Sequence, residues 1–223
     1  FAPVRPAFPH WPVRRPSYLA AGSPTHPISP ELYHRGWATG PDFRNGGRDY
    51  GVELPLGPRQ GGPLFFAHYS FLGLDPRGLR DRYADYFEQN SRHVLLNYNY
   101  CVANPGDCSG YGPSCWGLTA SDNDHGYSAH APTNDLCVIA PTAALASFPY
   151  APEAATRAMR HFYFDLGDRI WTDWGFTDAF SVKRDWYSPV HLAIDQGPIV
   201  VMMENYRSGL LWRLFMQAPE VQT

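Results

Sequence analysis

The stretch AIDQGPIVVMMENYRSGLLWRLF, residues 193–215, constrains the fold more than any other part of the chain. Beyond its first residues it has little polar face, and a helix of that kind is stable only when a second layer of helices covers it. The sequence therefore predicts an inner helix that runs from Asp195 to about Met216. Asp195 is expected to cap this helix, because a carboxylate there accepts backbone N–H groups and meets the positive end of the helix dipole.

Apolar residues that recur at three- and four-residue steps indicate further helices. They are predicted within residues 63–74, 75–101, 140–148 and 151–168. Ser29, followed by Pro30, is the expected N-cap of another. Short extended segments are expected only within 41–60 and 170–190. The predicted fold class is therefore all-α, with long loops rich in Gly, Asn, Asp and aromatic residues.

Composition limits the classes of partner. The net charge of −3 gives no electrostatic reason to expect nucleic acid or an anionic membrane, and no apolar run reaches transmembrane length. Aromatic residues make up 15% of the chain and many lie in polar loops. Aromatic faces beside amides and carboxylates suit sugar rings, although Trp and Tyr also fill protein cores well.

The four cysteines do not define a compartment by themselves. They form no C-x-x-C pair, so a zinc ribbon is not expected. Their spacing permits one loop disulfide, either Cys101–Cys108 or Cys108–Cys115, but unpaired buried thiols are slightly favoured. The sequence DNDHG at 122–126 is similar to a calcium loop, yet its Gly comes one residue early and Thr133 stands at the twelfth position. No metal and no cofactor are expected.

Several collinear motifs together resemble one family. They are GSPTHPI (22–28), YSFLGLDPRGLRDRYADYF (69–87), YGPSCWGLTASD (111–122), HAPTND (130–135), IAPTAALASFPYAPE (139–153), WGFTDAF (174–180) and the final stretch 192–215. This set resembles the glycoamylase-like domain of bacteria, which includes endo-β-1,2-glucanases of glycoside hydrolase family 144 and segments of cyclic β-1,2-glucan synthases. The resemblance covers about residues 18–223.

The resemblance implies a fold and an activity. It implies an (α/α)6 toroid of which residues 17–223 form the C-terminal half, preceded by a Pro/Arg-rich irregular segment at 1–16. It also implies a periplasmic or extracellular glycoside hydrolase that cleaves β-1,2-glucan internally with inversion, partnered by an upstream half that supplies the general acid. Two alternatives remain open: a non-catalytic carbohydrate-binding remnant, and a transglycosylase module of a cyclic glucan synthase.

The resemblance also implies site residues. Asp195 is the expected catalytic carboxylate on the base side, where it would activate water. Glu204 is excluded as its partner, because nine helical residues separate the two side chains by about 180° and about 13.5 Å; an ion pair with Arg207 is expected instead. The residues expected to bind sugar are Trp116, Asp122, Tyr127, His130, Asp135, Asp178 and Gln196.

Overall fold

The computed structural model describes residues 43–221, which belong to a compact unit formed by residues 42–223. The expectations for residues 1–16 and for Ser29 lie outside the described residues. Within 43–221, no helix is both long and apolar enough to cross a membrane.

Helices predominate in the described part of the chain. They are α1 (Phe65–His68), α2 (Tyr86–Ala103), α3 (Pro141–Leu145), α4 (Pro152–Phe164), α5 (Gly167–Ile170), α6 (Ala193–Ser208) and α7 (Leu210–Met216). Eight short strands form four antiparallel hairpins between them. The strands are β1 (Arg44–Asp49), β2 (Val52–Leu56), β3 (Ala120–Asn123), β4 (Gly126–Ala129), β5 (Trp171–Thr172), β6 (Gly175–Phe176), β7 (Phe180–Ser181) and β8 (Trp186–Tyr187).

The hairpins correct the all-α prediction in part. Three of them lie within 41–60 and 170–190, where short extended segments are expected, whereas β3–β4 is not foreseen. Its four-residue strands are too short to show a clear alternation of apolar and polar residues. The turn between them is closed by Asn123, whose side chain accepts the N–H of His125 at 2.9 Å, and by Gly126, whose φ of +133° favours glycine.

Helix α2 is shorter than the helix predicted over 75–101. Asp85 caps it, because Asp85 Oδ1 accepts the N–H of Glu88 at 3.0 Å. The preceding residues form turns instead: Gly78 has a φ of +76°, and Asp81 Oδ1 accepts the N–H of Tyr83 at 2.7 Å. Such local side-chain bonds compete with helix formation.

The final predicted helix divides at Gly209. The φ of this residue is +67°, so the chain leaves α6 through a left-handed position and starts α7. At the other end, α6 begins at Ala193 and Leu192 occupies the N-cap position without a side-chain cap. The expectation that Asp195 caps the helix is therefore wrong: it lies in the first turn, and its side chain faces other elements.

The core is centred on α3, all five residues of which are buried. It packs against α4 and α6 and belongs to the main apolar cluster with Trp116, Leu118 and Phe162. Gly117 allows the close approach, since its φ is +123° and a Cβ there would lie 2.9 Å from the Ala144 nitrogen. The loop that precedes β3 is thereby fixed on the most buried helix.

A disulfide joins Cys108 to Cys137 across 29 residues, while Cys101 and Cys115 remain free and buried. Both pairings considered from sequence are wrong, and the preference for unpaired thiols holds for only two of the four cysteines. The bond depends on how two distant loops fold together, and local spacing contains no information about that arrangement.

Candidate functional site

Three separate elements bring carboxyl groups together. Asp122 lies in β3, Asp178 comes just before β7, and Asp195 lies in the first turn of α6. The backbone N–H of Asp122 donates to Asp178 Oδ2 at 2.7 Å, and the Asp178 carboxyl group lies close enough to that of Asp195 to raise its pKa. The structure thus brings together three residues that are 56 and 17 positions apart in sequence.

Asp178 and Asp195 form what we term the carboxyl dyad. Each residue is only 1% exposed. Within the described chain, Asp178 Oδ1 and Asp195 Oδ2 find no ordinary hydrogen-bond donor. Two buried carboxylates close to each other repel, and one proton on the pair removes one negative charge. We interpret the dyad as a pair that holds one proton.

Burial, followed by the hydrogen bond and charge of Asp178, raises the pKa of Asp195 from 3.8 to about 7. Burial also raises the pKa of Asp178, although the N–H donated by Asp122 acts in the opposite direction. These environments push one proton of the pair into the range in which a group both accepts and releases protons near neutrality. The dyad can therefore act as a general base or acid at physiological pH.

Tyr69 also contacts Asp195, and it was not among the site residues predicted from the sequence. Its hydroxyl donates to Asp195 Oδ1 at 3.3 Å and favours the ionised carboxylate. Burial and the charge of Asp195 together raise the pKa of Tyr69, so the phenol keeps its proton. Tyr69 follows α1 in the motif YSFLGL, which is part of the family resemblance but contains no acid that would have drawn attention to it.

Asp122 and Tyr127 form the open edge of the site. They stand opposite each other in the β3–β4 register, and Tyr127 is 55% exposed. The negative charges of Asp122, Asp178 and Asp195 all act on the Tyr127 phenol, which places its hydroxyl near the dyad. An exposed ring beside a partly exposed carboxylate provides both a stacking face and a hydrogen-bond acceptor.

Gln196 faces a different direction from its neighbour Asp195. Its Nε2 donates to the carbonyl of Phe176 at 2.8 Å, and it lines a groove of about 460 Å³ between α4, α6 and the β5–β6 hairpin. Trp174 at the hairpin tip is 80% exposed and Val200 on α6 is 69% exposed. Gln196 thus borders a mainly apolar groove. One of its two amide N–H groups donates to the backbone.

Two predicted sugar ligands are buried core residues. Trp116 is fully buried, donates Nε1–H to the Ala154 carbonyl at 3.3 Å and packs edge-on against Tyr98. His130 is also fully buried, which lowers its pKa, and neither ring nitrogen has a well-formed hydrogen bond within the described chain. Both side chains are enclosed within this part of the chain, so their assignment as sugar ligands stays a prediction without support from the accessible surface.

Asp135 makes structural contacts, and its assignment as a sugar ligand stays a prediction. Asp135 Oδ1 accepts from the Tyr111 hydroxyl at 2.9 Å and from the Cys137 N–H at 2.8 Å, while Oδ2 accepts from the Tyr100 hydroxyl at 2.9 Å. These donors, with the Cys108–Cys137 disulfide, make up what we term the Asp135 junction. A carboxylate occupied by three protein donors has little capacity left for a ligand.

The exclusion of Glu204 agrees with the structure. Glu204 Oε2 accepts from Arg207 Nε at 2.9 Å, in the i,i+3 ion pair that the sequence predicts. Among the described residues, the acidic, histidine and cysteine side chains close enough to hold a metal are Cys108, Asp135 and Cys137. Both sulfurs of that group are used by the disulfide, so its chemistry does not suit a metal ion.

The chain belongs to the Glycoamylase family, described as "Putative glucoamylase", whose model matches residues 16–219. This assignment confirms the resemblance drawn from the motifs.

Three relatives illustrate the similarity. The structure of a putative glucoamylase from Bacteroides uniformis has a TM-score of 0.88 and 61% identity, over 92% of this chain and 50% of that one. An endo-β-1,2-glucanase from Chitinophaga pinensis, solved with sophorotriose and glucose, has a TM-score of 0.86 and 58% identity over the same shares. An exo-β-1,2-glucooligosaccharide sophorohydrolase from Parabacteroides distasonis is 45% identical, over 92% of this chain and 31% of its own length. The chain thus spans half or less of each relative.

Proposed function

We propose that this chain is the base-side half of a glycoside hydrolase that cleaves β-1,2-glucan. The observation that carries the proposal is the buried carboxyl dyad, which lies beside an exposed tyrosine and a third carboxylate. The names of the relatives from Chitinophaga pinensis and Parabacteroides distasonis support the substrate class. The greater identity to the endo-acting relative, 58% against 45% for the exo-acting one, favours internal cleavage.

Hydrolysis of a glycosidic bond with inversion uses two separated carboxyl groups, about 6.5–9.5 Å apart, to leave room for water. The Asp178 and Asp195 carboxyl groups are immediate neighbours, which does not suit two groups on opposite sides of the bond. Both therefore belong to one side of the reaction. Asp195 takes a proton from the attacking water, the water oxygen bonds to the anomeric carbon, and the departing oxygen takes a proton from an acid on the upstream half.

The remaining residues of the site bind the sugar in this proposal. The Tyr127 ring offers a stacking face at the exposed edge, and the Asp122 carboxylate accepts hydroxyl hydrogen bonds. Gln196 contributes the Oε1 acceptor at the border of the neighbouring groove. Asp178 acts on Asp195 through its neighbouring carboxyl group.

The complete protein is proposed to be an (α/α)6 toroid, of which this chain supplies the C-terminal half. Two features support this. The relatives are about twice as long as the segment matched here, and the groove between α4 and α6 exposes apolar side chains that a further helical layer would cover. The upstream half is therefore proposed as the partner of this chain, together with the glucan.

A periplasmic or extracellular location is also proposed. The Cys108–Cys137 disulfide supports it, because disulfides persist in oxidising compartments and are rare in the cytosol. Fractionation of the source cells, with antibody detection of the chain, tests this proposal, and recovery of the protein only in the cytosolic fraction contradicts it.

The test of function uses the protein with its upstream half, incubated with linear β-1,2-glucan and in parallel with starch. Release of oligosaccharides from β-1,2-glucan, lost in Asp195→Asn and retained in the surface variant Asp165→Asn, supports the proposal. Release from starch alone refutes the substrate class. Binding of β-1,2-glucan without release favours a carbohydrate-binding remnant, and formation of longer or cyclic products favours a transglycosylase.

A further inference from the structure

The Asp135 junction and the carboxyl dyad are joined through the backbone. Segment 138–140 leaves the junction directly after Cys137, and Tyr111 at the junction also donates to the Val138 carbonyl at 3.3 Å. The next residue, Ile139, exchanges two hydrogen bonds with Phe180, each 2.9 Å long. Phe180 is two residues from Asp178, so a short, hydrogen-bonded path links the disulfide to the dyad.

The same segment is held on both sides. Ala140 N–H donates to the Gly117 carbonyl at 3.1 Å, and Val138 and Ala140 pack with Ala179 in a small buried cluster. Ala179 lies between Asp178 and Phe180 in sequence. Because each of these residues is buried and packed, a displacement of segment 138–140 is transmitted to Asp178 rather than absorbed by solvent.

We propose that Asp135, with the Cys108–Cys137 disulfide, is a positioning residue that sets the distance between the two carboxyls of the dyad by fixing segment 138–140 against β7. This inference rests on the proposed function, because it treats the dyad as the pair of reacting groups. It follows from the proposal that opening the disulfide or removing the Asp135 carboxylate loosens segment 138–140. Asp178 then separates from Asp195, and their protonation is no longer shared.

The pH titration of the dyad distinguishes two roles of the junction. If the junction only stabilises the fold, its removal leaves this titration unchanged. The groups that face the dyad are Tyr69, Asp122, Tyr127 and His191, and none of them belongs to the junction. Burial is the first cause of the raised pKa of Asp195, and the neighbouring Asp178 carboxyl raises it further. If the carboxyls move apart, the contribution of Asp178 disappears and the Asp195 titration moves to lower pH. The wild-type chain has a raised pKa of about 7 at Asp195.

The experiment is a pH titration of carboxyl-labelled aspartate by NMR, on the whole chain and without substrate. Wild type, Cys108→Ser with Cys137→Ser, and Asp135→Asn are compared with Leu54→Ala. Leu54 is 1% exposed in a separate apolar cluster, so its truncation lowers stability without touching segment 138–140.

We expect the neutral-range titration to move by at least one pH unit, a tenfold change in the protonation equilibrium, in the two junction variants. It stays in place in Leu54→Ala although the Tm falls. An unchanged titration in folded junction variants overturns the proposal and leaves the disulfide as a stabilising bond. If the cysteine variant does not fold, titration of the native chain after reduction with dithiothreitol, together with Asp135→Asn, decides in the same way. The result does not depend on turnover, so failure of the proposed hydrolysis is recognised separately.

Discussion

Asp195 is buried and Asp135 is partly exposed, and the surroundings of the two carboxylates are opposite. Asp135 meets three donors on two oxygens, from Tyr100, Tyr111 and the backbone of Cys137. Asp195 meets one long hydrogen bond from Tyr69 and a second carboxyl. A carboxylate whose oxygens accept hydrogen bonds from the protein stabilises the fold. A carboxylate beside a like charge has a raised pKa, and perturbed pKa values are common among catalytic acids and bases.

The largest expected effect concerns catalysis. In the protein with its upstream half, Asp195→Asn is expected to lower kcat for β-1,2-glucan about 10²–10⁴-fold, the range expected when a general base is removed. Asp135→Asn lowers kcat less, because it acts on the dyad from a distance. Initial rates of reducing-sugar release measure both. Equal losses in the two variants, at pH values where both are folded, would remove the distinction between the two aspartates.

The second effect is on stability, and here Asp135→Asn is expected to have a larger effect than Asp195→Asn. In Asp135→Asn the amide oxygen can still accept from the Cys137 N–H, while the amide N–H₂ faces the Tyr100 hydroxyl, which must then accept instead of donate. We expect a loss of about 1–3 kcal/mol in the free energy of unfolding, because hydrogen bonds to a charged acceptor are replaced by weaker neutral ones. Denaturant unfolding of the chain at pH 6 measures it. A loss below the experimental error would mean that Asp135 is not a structural centre.

The third prediction concerns pH. Because the folded pKa of Asp195 is raised from 3.8 to about 7, its favourable contribution is complete below 3.8 and is lost as pH rises through about 7. Asp195→Asn keeps a neutral partner for Asp178 at every pH. We therefore expect this variant to be more stable than wild type at pH 8, by about 1–2 kcal/mol, and closer to it at pH 4. Thermal unfolding at both pH values tests this, and wild type gaining stability between pH 5 and 8 relative to the variant contradicts it.

A smaller effect separates surface from core aromatics. Tyr127→Ala is expected to weaken glucan binding about 2- to 10-fold, the size of one stacking contact, with little change in Tm. Trp116→Phe is expected to lower Tm and leave affinity unchanged, since that ring is buried and its N–H bonds the Ala154 carbonyl. Calorimetric titration with sophorooligosaccharides and thermal unfolding form the paired measurement. Loss of affinity in Trp116→Phe alone would reverse the assignment.

The smallest effect is a refinement of the dyad. Tyr69→Phe removes the hydroxyl that favours ionised Asp195, so the pKa of Asp195 rises further. Because the base acts in its ionised form, the acidic limb of the pH–rate profile moves to higher pH. The rate at pH 9 is the internal control and stays nearly the same. A shift of the limb to lower pH would show that the hydroxyl does not donate to the reacting carboxylate.

The sequence was informative wherever a local rule decides. The positions of α4 and α6, the exclusion of Glu204 and the presence of Asp195 and Asp178 in one site follow from periodicity, helix geometry and the family motifs. Tyr69 and the correct disulfide pairing were missed, because both depend on contacts between segments that are far apart in sequence: 126 residues for Tyr69 and Asp195.

The predicted sugar ligands that the structure places in protein contacts share one physical feature. Trp116, His130 and Asp135 lie in loops, and loop sequences rich in Gly, Asn and aromatics favour a binding role. Whether such a residue faces a ligand or the core depends on its burial. A loop lacks the regular period of a strand or a helix, from which burial can be predicted. Asp122 and Tyr127 remain on the accessible edge only because β3–β4 turns them outward.

The ring of chain closed by Cys108 and Cys137 encloses the whole β3–β4 hairpin. Its tip at Asp124 and His125 is solvent-exposed, while its base is tied covalently and through the Asp135 carboxylate. Exposed tips of this kind tolerate inserted residues. The tip is therefore a suitable insertion point, where added residues would lie close to Tyr127 while the base of the hairpin stays closed by the disulfide.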